Sequence, residues 1–218
     1  MQHPQPQTAF EWPIYADATF AGLAVLFPIP LLDWALEEYF RRRMPRTIAR
    51  HRRRTLPLAV IRAANGPQHG CLAAALNFLI RLPLELLKRI FRKLLYILTV
   101  KEATDKLNYY WQRAFLLDYA LAAGHLATVE SARQAQQTVE EVLTSSPSPM
   151  IRLARMVLLS PLPVMRLLRR AFNSQTPIAA PQQQNILRQQ WSAYQDYLQT
   201  LAERYEQTYQ ARVEGGPD

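Results

Sequence analysis

The chain has one cysteine, Cys71, in 218 residues, so no disulfide within it can contribute to stability. Metal ligands are equally sparse. His69 and Cys71 lie close together, but no second pair at ligand spacing accompanies them, so neither a metal nor a cofactor is expected. Glycine is scarce at 6 residues, which argues against a meander of tight β-turns, because such turns need backbone at positive φ. Long apolar runs are missing too. Ala18 to Leu32 is uncharged for fifteen residues but contains Pro28 and Pro30, and Ala63 to Ile80 is interrupted by the polar "NGPQHG". A spanning helix wants about 20 apolar residues, so neither run is expected to cross a bilayer. The opening "MQHPQPQTAFEWPIY" lacks the basic and apolar regions of a signal peptide and reads as a disordered tail over residues 1–15. There is no Gly-rich phosphate loop and no nucleophile elbow. Asp118 and His125 would meet only through folding, and nothing in their spacing marks an acid–base pair. The expected function is therefore non-enzymatic.

What the chain does have is proline, 16 residues of it, set in a helical pattern that places many of them at helix starts. Its charge is segregated. Residues 1–40 carry −5, residues 41–100 carry +13 and residues 150–172 carry +5, while 101–149 and 173–218 carry −2 each. Two basic blocks thus supply the whole net charge of +9, and blocks of one sign attract polyanions or anionic lipid.

Helical periodicity organises the rest. Asp17 is a candidate N-cap for the uncharged run. After Pro30, Leu32, Leu36, Tyr39 and Phe40 recur on one helical face, and Glu37 with Arg41 and Glu38 with Arg42 form i,i+4 pairs. Pro45 is expected to end that helix, and Pro57 to restart another. After Pro83, Leu84, Leu87, Phe91, Leu94 and Leu98 share a face opposite a basic one. Thr99-Val-Lys-Glu102 fits a capping box, leaving open either a new helix there or one long continuous helix. Ala103, Leu107, Tyr110, Ala114, Leu117 and Leu121 continue to a C-cap signal at Gly124, and residues 126–143 complete an αα-hairpin. In the second basic block, "LLRRAF" echoes the earlier "LLKRIF" without a fixed period. Leu187, Trp191, Tyr194, Leu198, Leu201 and Tyr205 hold a 4-3 spacing. This seam suits docking on a wide helical surface, or contact with a protein partner or second copy.

These signals predict an all-α protein, an irregular bundle of about seven helices. Residues 1–15 form the tail, 16–143 a basic body that includes the hairpin, 150–172 a basic amphipathic segment and 182–213 a C-terminal docking or coiled-coil helix.

The functional question is which partner takes the arginine run, Arg41, Arg42, Arg43, Arg46, Arg50, Arg52, Arg53 and Arg54, which includes no lysine. Guanidinium forks suit phosphate and carboxylate alike. One candidate is the chain's own acids, Glu37 and Glu38 among them, which would leave a plain soluble interaction bundle. A second is an anionic membrane surface on the cytoplasmic side. There Phe27, Pro28, Ile29 and Pro30 would insert, and Lys88, Arg89, Arg92 and Lys93 would extend the basic face. A third is nucleic acid, though residues 41–54 contain no Phe, Tyr or Trp on which a base could stack. The apolar–basic order favours the membrane over nucleic acid.

Overall fold

In the computed structural model, described over residues 6–26, 32–66, 92–145, 149–159 and 181–215, the protein is all-α, with no strand among those residues. The helices are α1 (Trp12–Leu23), α2 (Leu32–His51), α3 (Leu58–Asn65), α4 (Arg92–Ala123), α5 (Val129–Ser145), α6 (Ile151–Leu159), α7 (Pro181–Trp191) and α8 (Gln195–Glu214). A 3-10 turn, Ala24–Leu26, follows α1, and another, Ser192–Tyr194, carries α7 on into α8.

The centre of the bundle is α1 against α2 and α4. A helix buried nearly all round can only be central, and α1 is buried at every position from Ile14 to Leu23. Gly22 permits its close approach to α4, since a Cβ there would lie 2.6 Å from the Leu107 Cα. The middle of α4 is likewise enclosed, with every residue from Trp111 to Leu121 buried. Around this pair, α3 packs on α5, α5 on α8, and α6 on α4. The hairpin turn closes through Gly124 at φ 84°. Thr128 and Ser131 then exchange backbone–side-chain hydrogen bonds of 3.1 Å that cap α5.

Several sequence expectations change. Residues 6–15 are no tail: Phe10, Trp12, Ile14 and Tyr15 are buried in the core, and the Trp191 indole donates to the Thr8 carbonyl at 3.1 Å. The aromatics "FEWPIY" outweigh the low helix propensity of the Gln/Pro opening, because Phe10 and Tyr15 stack at 5.3 Å and both meet Trp191. Asp17 is not an N-cap. Glu11 holds that position, Pro13 opens the first turn of α1, and Asp17 is buried mid-helix. Pro45 does not end α2 but lies inside it, on its buried side. Around it α3 braces α2 from outside: the Asn65 amide donates to the Arg42 carbonyl at 3.1 Å, and the Asn65 carbonyl accepts from Arg41 at 2.6 Å. No break occurs at Thr99, and α4 runs on for 32 residues.

The C-terminal seam is part of the core. Leu187, Trp191, Leu198, Leu201 and Tyr205 are all buried, and Tyr194 packs partly buried against them. Self-association through these side chains would require α7 and α8 to leave their own bundle.

Candidate functional site

The arginine run divides because a helix turns about 100° per residue, so neighbours in sequence face different surroundings. Arg41, Arg43 and Arg52 turn inward. Arg41 donates to both Glu38 oxygens at 2.8 and 2.9 Å, and its remaining arm reaches the Asn65 carbonyl at 2.6 Å. Arg43 donates twice to Oδ1 of buried Asp17, at 2.9 and 2.5 Å, and its guanidinium lies over the Tyr39 and Phe40 rings. Arg52 makes a bidentate pair with Asp118, at 2.8 and 2.7 Å, and a further ion pair with Glu11 at 3.0 Å. Arg54 stays largely exposed, but one arm caps α4 by donating to the Leu121 carbonyl at 2.6 Å.

Titration reflects this inner set. The Asp118 hydrogen bonds, outweighing burial, hold Arg52 well above its ordinary range. Burial alone would raise the Glu38 carboxyl, but hydrogen bonds from Arg41 and Arg42 outweigh it and leave it lowered. Glu11 is lowered in the same way, with burial overcome by His51 and Arg52.

Arg42, Arg46, Arg50 and Arg53 point outward, each exposed. Arg42, Arg46 and Arg50, four apart, make one row down α2, roughly 12 Å long at the helical rise, and Arg53 follows in the turn just past His51. Arg42 still contacts Glu38 at 2.6 Å while its side chain remains 48% exposed. The row ends at Arg53, the sole non-glycine among the described residues with positive φ, at 55°. Its amide donates to the Arg50 carbonyl and that of Arg54 to the Ala49 carbonyl, at 3.0 and 2.8 Å, which is a Schellman closure of α2. Beyond it, Pro57, Leu58, Ala59 and Arg62 are exposed at the start of α3.

Of the other expected site residues, Phe27, Pro28, Ile29, Pro30, Lys88 and Arg89 lie outside the described residues, as do His69 and Cys71. Arg92 and Lys93 form the first positions of α4. Asp118 and His125 are not brought together. Asp118 serves Arg52, while the His125 ring stacks on Tyr209 at 3.8 Å and its Nδ1 sits 3.2 Å from the Tyr205 hydroxyl. A recess of about 560 Å³ between α2 and α4 is lined by Glu37, Lys101, Glu102, Asp105, Lys106, Tyr109 and Tyr110. Its central carboxylate, Glu37, is already taken by Lys106 at 2.6 Å and by the Tyr110 hydroxyl at 2.7 Å.

Sequence spacing missed the acids that sort the arginines. Asp17, Asp118 and Glu11 lie 26, 66 and about forty residues from their partners, where helical periodicity carries no signal. The outer row was legible in principle, since positions 42, 46 and 50 share one face. No known family model, curated protein or solved structure matches the chain.

Proposed function

We propose that this protein is a non-enzymatic, peripheral scaffold that rests on an anionic membrane surface, on its cytoplasmic face, through the outer arginine row of α2. The observation that carries this reading is the sorting itself. Arg43 and Arg52 are held by the buried carboxylates of Asp17 and Asp118, whereas Arg42, Arg46, Arg50 and Arg53 are exposed, Arg42 while also contacting Glu38. Four exposed guanidiniums match the phosphates of a lipid surface. No described helix is long and apolar enough to cross a membrane. Each arginine near anionic lipid contributes about 1 kcal/mol, roughly 4 kcal/mol in all. Nucleic acid would use the same row, but an exposed aromatic of α2, Tyr39, already carries Arg43 over its ring at 5.4 Å.

Vesicle sedimentation tests the reading. The protein is expected to bind phosphatidylcholine vesicles only when phosphatidylserine is included, and to lose most of that binding on charge reversal of Arg46 and Arg53 to Glu. Circular dichroism should be unchanged in the double variant. Equal binding to neutral vesicles would overturn the proposal, as would tighter binding to duplex DNA or RNA at the same salt.

A further inference from the structure

Electrostatic attraction through a few surface arginines corresponds on its own to an affinity on the order of a millimolar. Durable attachment to a bilayer takes a second, apolar signal. The corner joining α2 to α3 has the form of one. From Arg53 to Ala59 every residue but Leu56 is exposed, and residues 54–57 have no regular structure. Leu58 is 65% exposed, the most exposed large hydrophobic among the described residues. Arg54 stands four residues before it and Arg62 four after, both exposed, and Arg53 ends the outer row just upstream.

Backbone chemistry limits how deep this corner can go. The amides of Arg52, Arg53 and Arg54 are satisfied by α2 carbonyls, and Pro57 has no N–H at all. The first N–H groups of α3, however, have no partner within their own helix. That arrangement suits the level of lipid headgroups, where phosphate oxygens accept hydrogen bonds and a leucine reaches the upper acyl chains. A protein partner would present a different complement, since a stable interface buries about 800 Å² on each side around a packed centre. A single exposed leucine at the start of a short helix, flanked by arginines, offers no such centre.

We infer that Leu58, bracketed by Arg54 and Arg62, is the anchor that enters the apolar part of an anionic bilayer while the guanidiniums hold its headgroups. This rests on the membrane reading above. The full chain, Leu58→Asp and Leu58→Trp are compared on phosphatidylserine-containing vesicles across a salt series. Wild type should keep a bound fraction at high salt. Leu58→Asp should lose it and bind on the order of ten-fold more weakly at low salt, as expected for one buried leucine. The added indole of Leu58→Trp should be quenched by lipids brominated in their upper acyl chains, beyond any quenching of the four native tryptophans. If Leu58→Asp follows wild type at every salt concentration, or the new indole is not quenched, the anchor is wrong and the arginine row stands alone. If wild type does not bind these vesicles even at low salt, the membrane reading itself falls, and the anchor with it.

Discussion

The two sides of α2 use the same residue for opposite ends. Arg43 is locked to Asp17, a carboxylate 1% exposed, whereas Arg46, three positions on, is exposed with no ion pair among the described residues. The inner arginines join distant parts of the chain, α1 through Asp17 and α4 through Asp118. The outer ones are exposed, and Arg42 pairs only within its own helix, with Glu38. A basic run therefore has no single meaning: its helical phase decides which guanidiniums face the core and which stay exposed.

Replacing one arginine on each side should break this comparison most sharply. Arg43→Ala leaves Asp17 buried without its cation, and Asp17 Oδ2 already lacks a partner. Removing one member of a buried pair costs about 3 kcal/mol. Arg46→Ala should change stability by no more than about 0.5 kcal/mol, as surface substitutions do. Urea unfolding of the two variants measures the difference. Equal midpoints would mean that the inner pair is not structural.

Acid should sharpen the same contrast with a smaller effect. Glu38 and Glu11 have folded-state carboxyls below their ordinary value of 4.5. A lowered folded value means that the fold binds these protons less readily than the unfolded chain does. The stabilisation they provide is therefore complete above about pH 4.5 and is lost as pH falls through the lower, folded value. Urea midpoints should decline below that point, and Glu38→Gln should flatten part of the decline. Because Glu38 faces Arg41 on the inner side and Arg42 on the outer, Arg42→Ala should remove only a fraction of what Arg41→Ala removes. An unchanged acid slope in Glu38→Gln would rule out Glu38 as a source of it.

Periodicity made the all-α class readable, together with the hairpin end at Gly124 and the seam through Trp191 and Tyr205. Those features depend on local spacing. What it could not supply was the far partner. The 4-3 pattern of α7 and α8 shows that the helices bury a face, but not that the face is completed by Phe10 and Tyr15 near the other end of the chain. Pro45 looked like a stop because local rules count only the lost hydrogen bond, and the brace from Asn65 lies twenty positions downstream. Leu58 was legible only as the residue after a restarting proline. Its exposure is a property of the packed α3, whose Val60 and Ala64 turn inward instead.

The smallest expected effect comes from comparing two helix ends closed by the same motif. At the end of α4 the left-handed position is Gly124, φ 84°, with the Gly124 and His125 amides donating to Leu121 and Ala120. At the end of α2 that position is Arg53, φ 55°, with the corresponding pair of bonds. A side chain in this conformation costs about 1 kcal/mol that glycine avoids. Nothing within 4 Å would meet a Cβ at Gly124, so Gly124→Arg should cost about that amount through the backbone alone. Arg53→Gly should recover about as much in thermal stability, yet bind phosphatidylserine vesicles about five-fold more weakly through loss of one surface arginine. A variant that gains stability while losing binding would explain why an arginine occupies a position that glycine would hold at lower cost. Undiminished binding in Arg53→Gly would shorten the row to Arg42, Arg46 and Arg50 and leave the strain at Arg53 without a function in attachment.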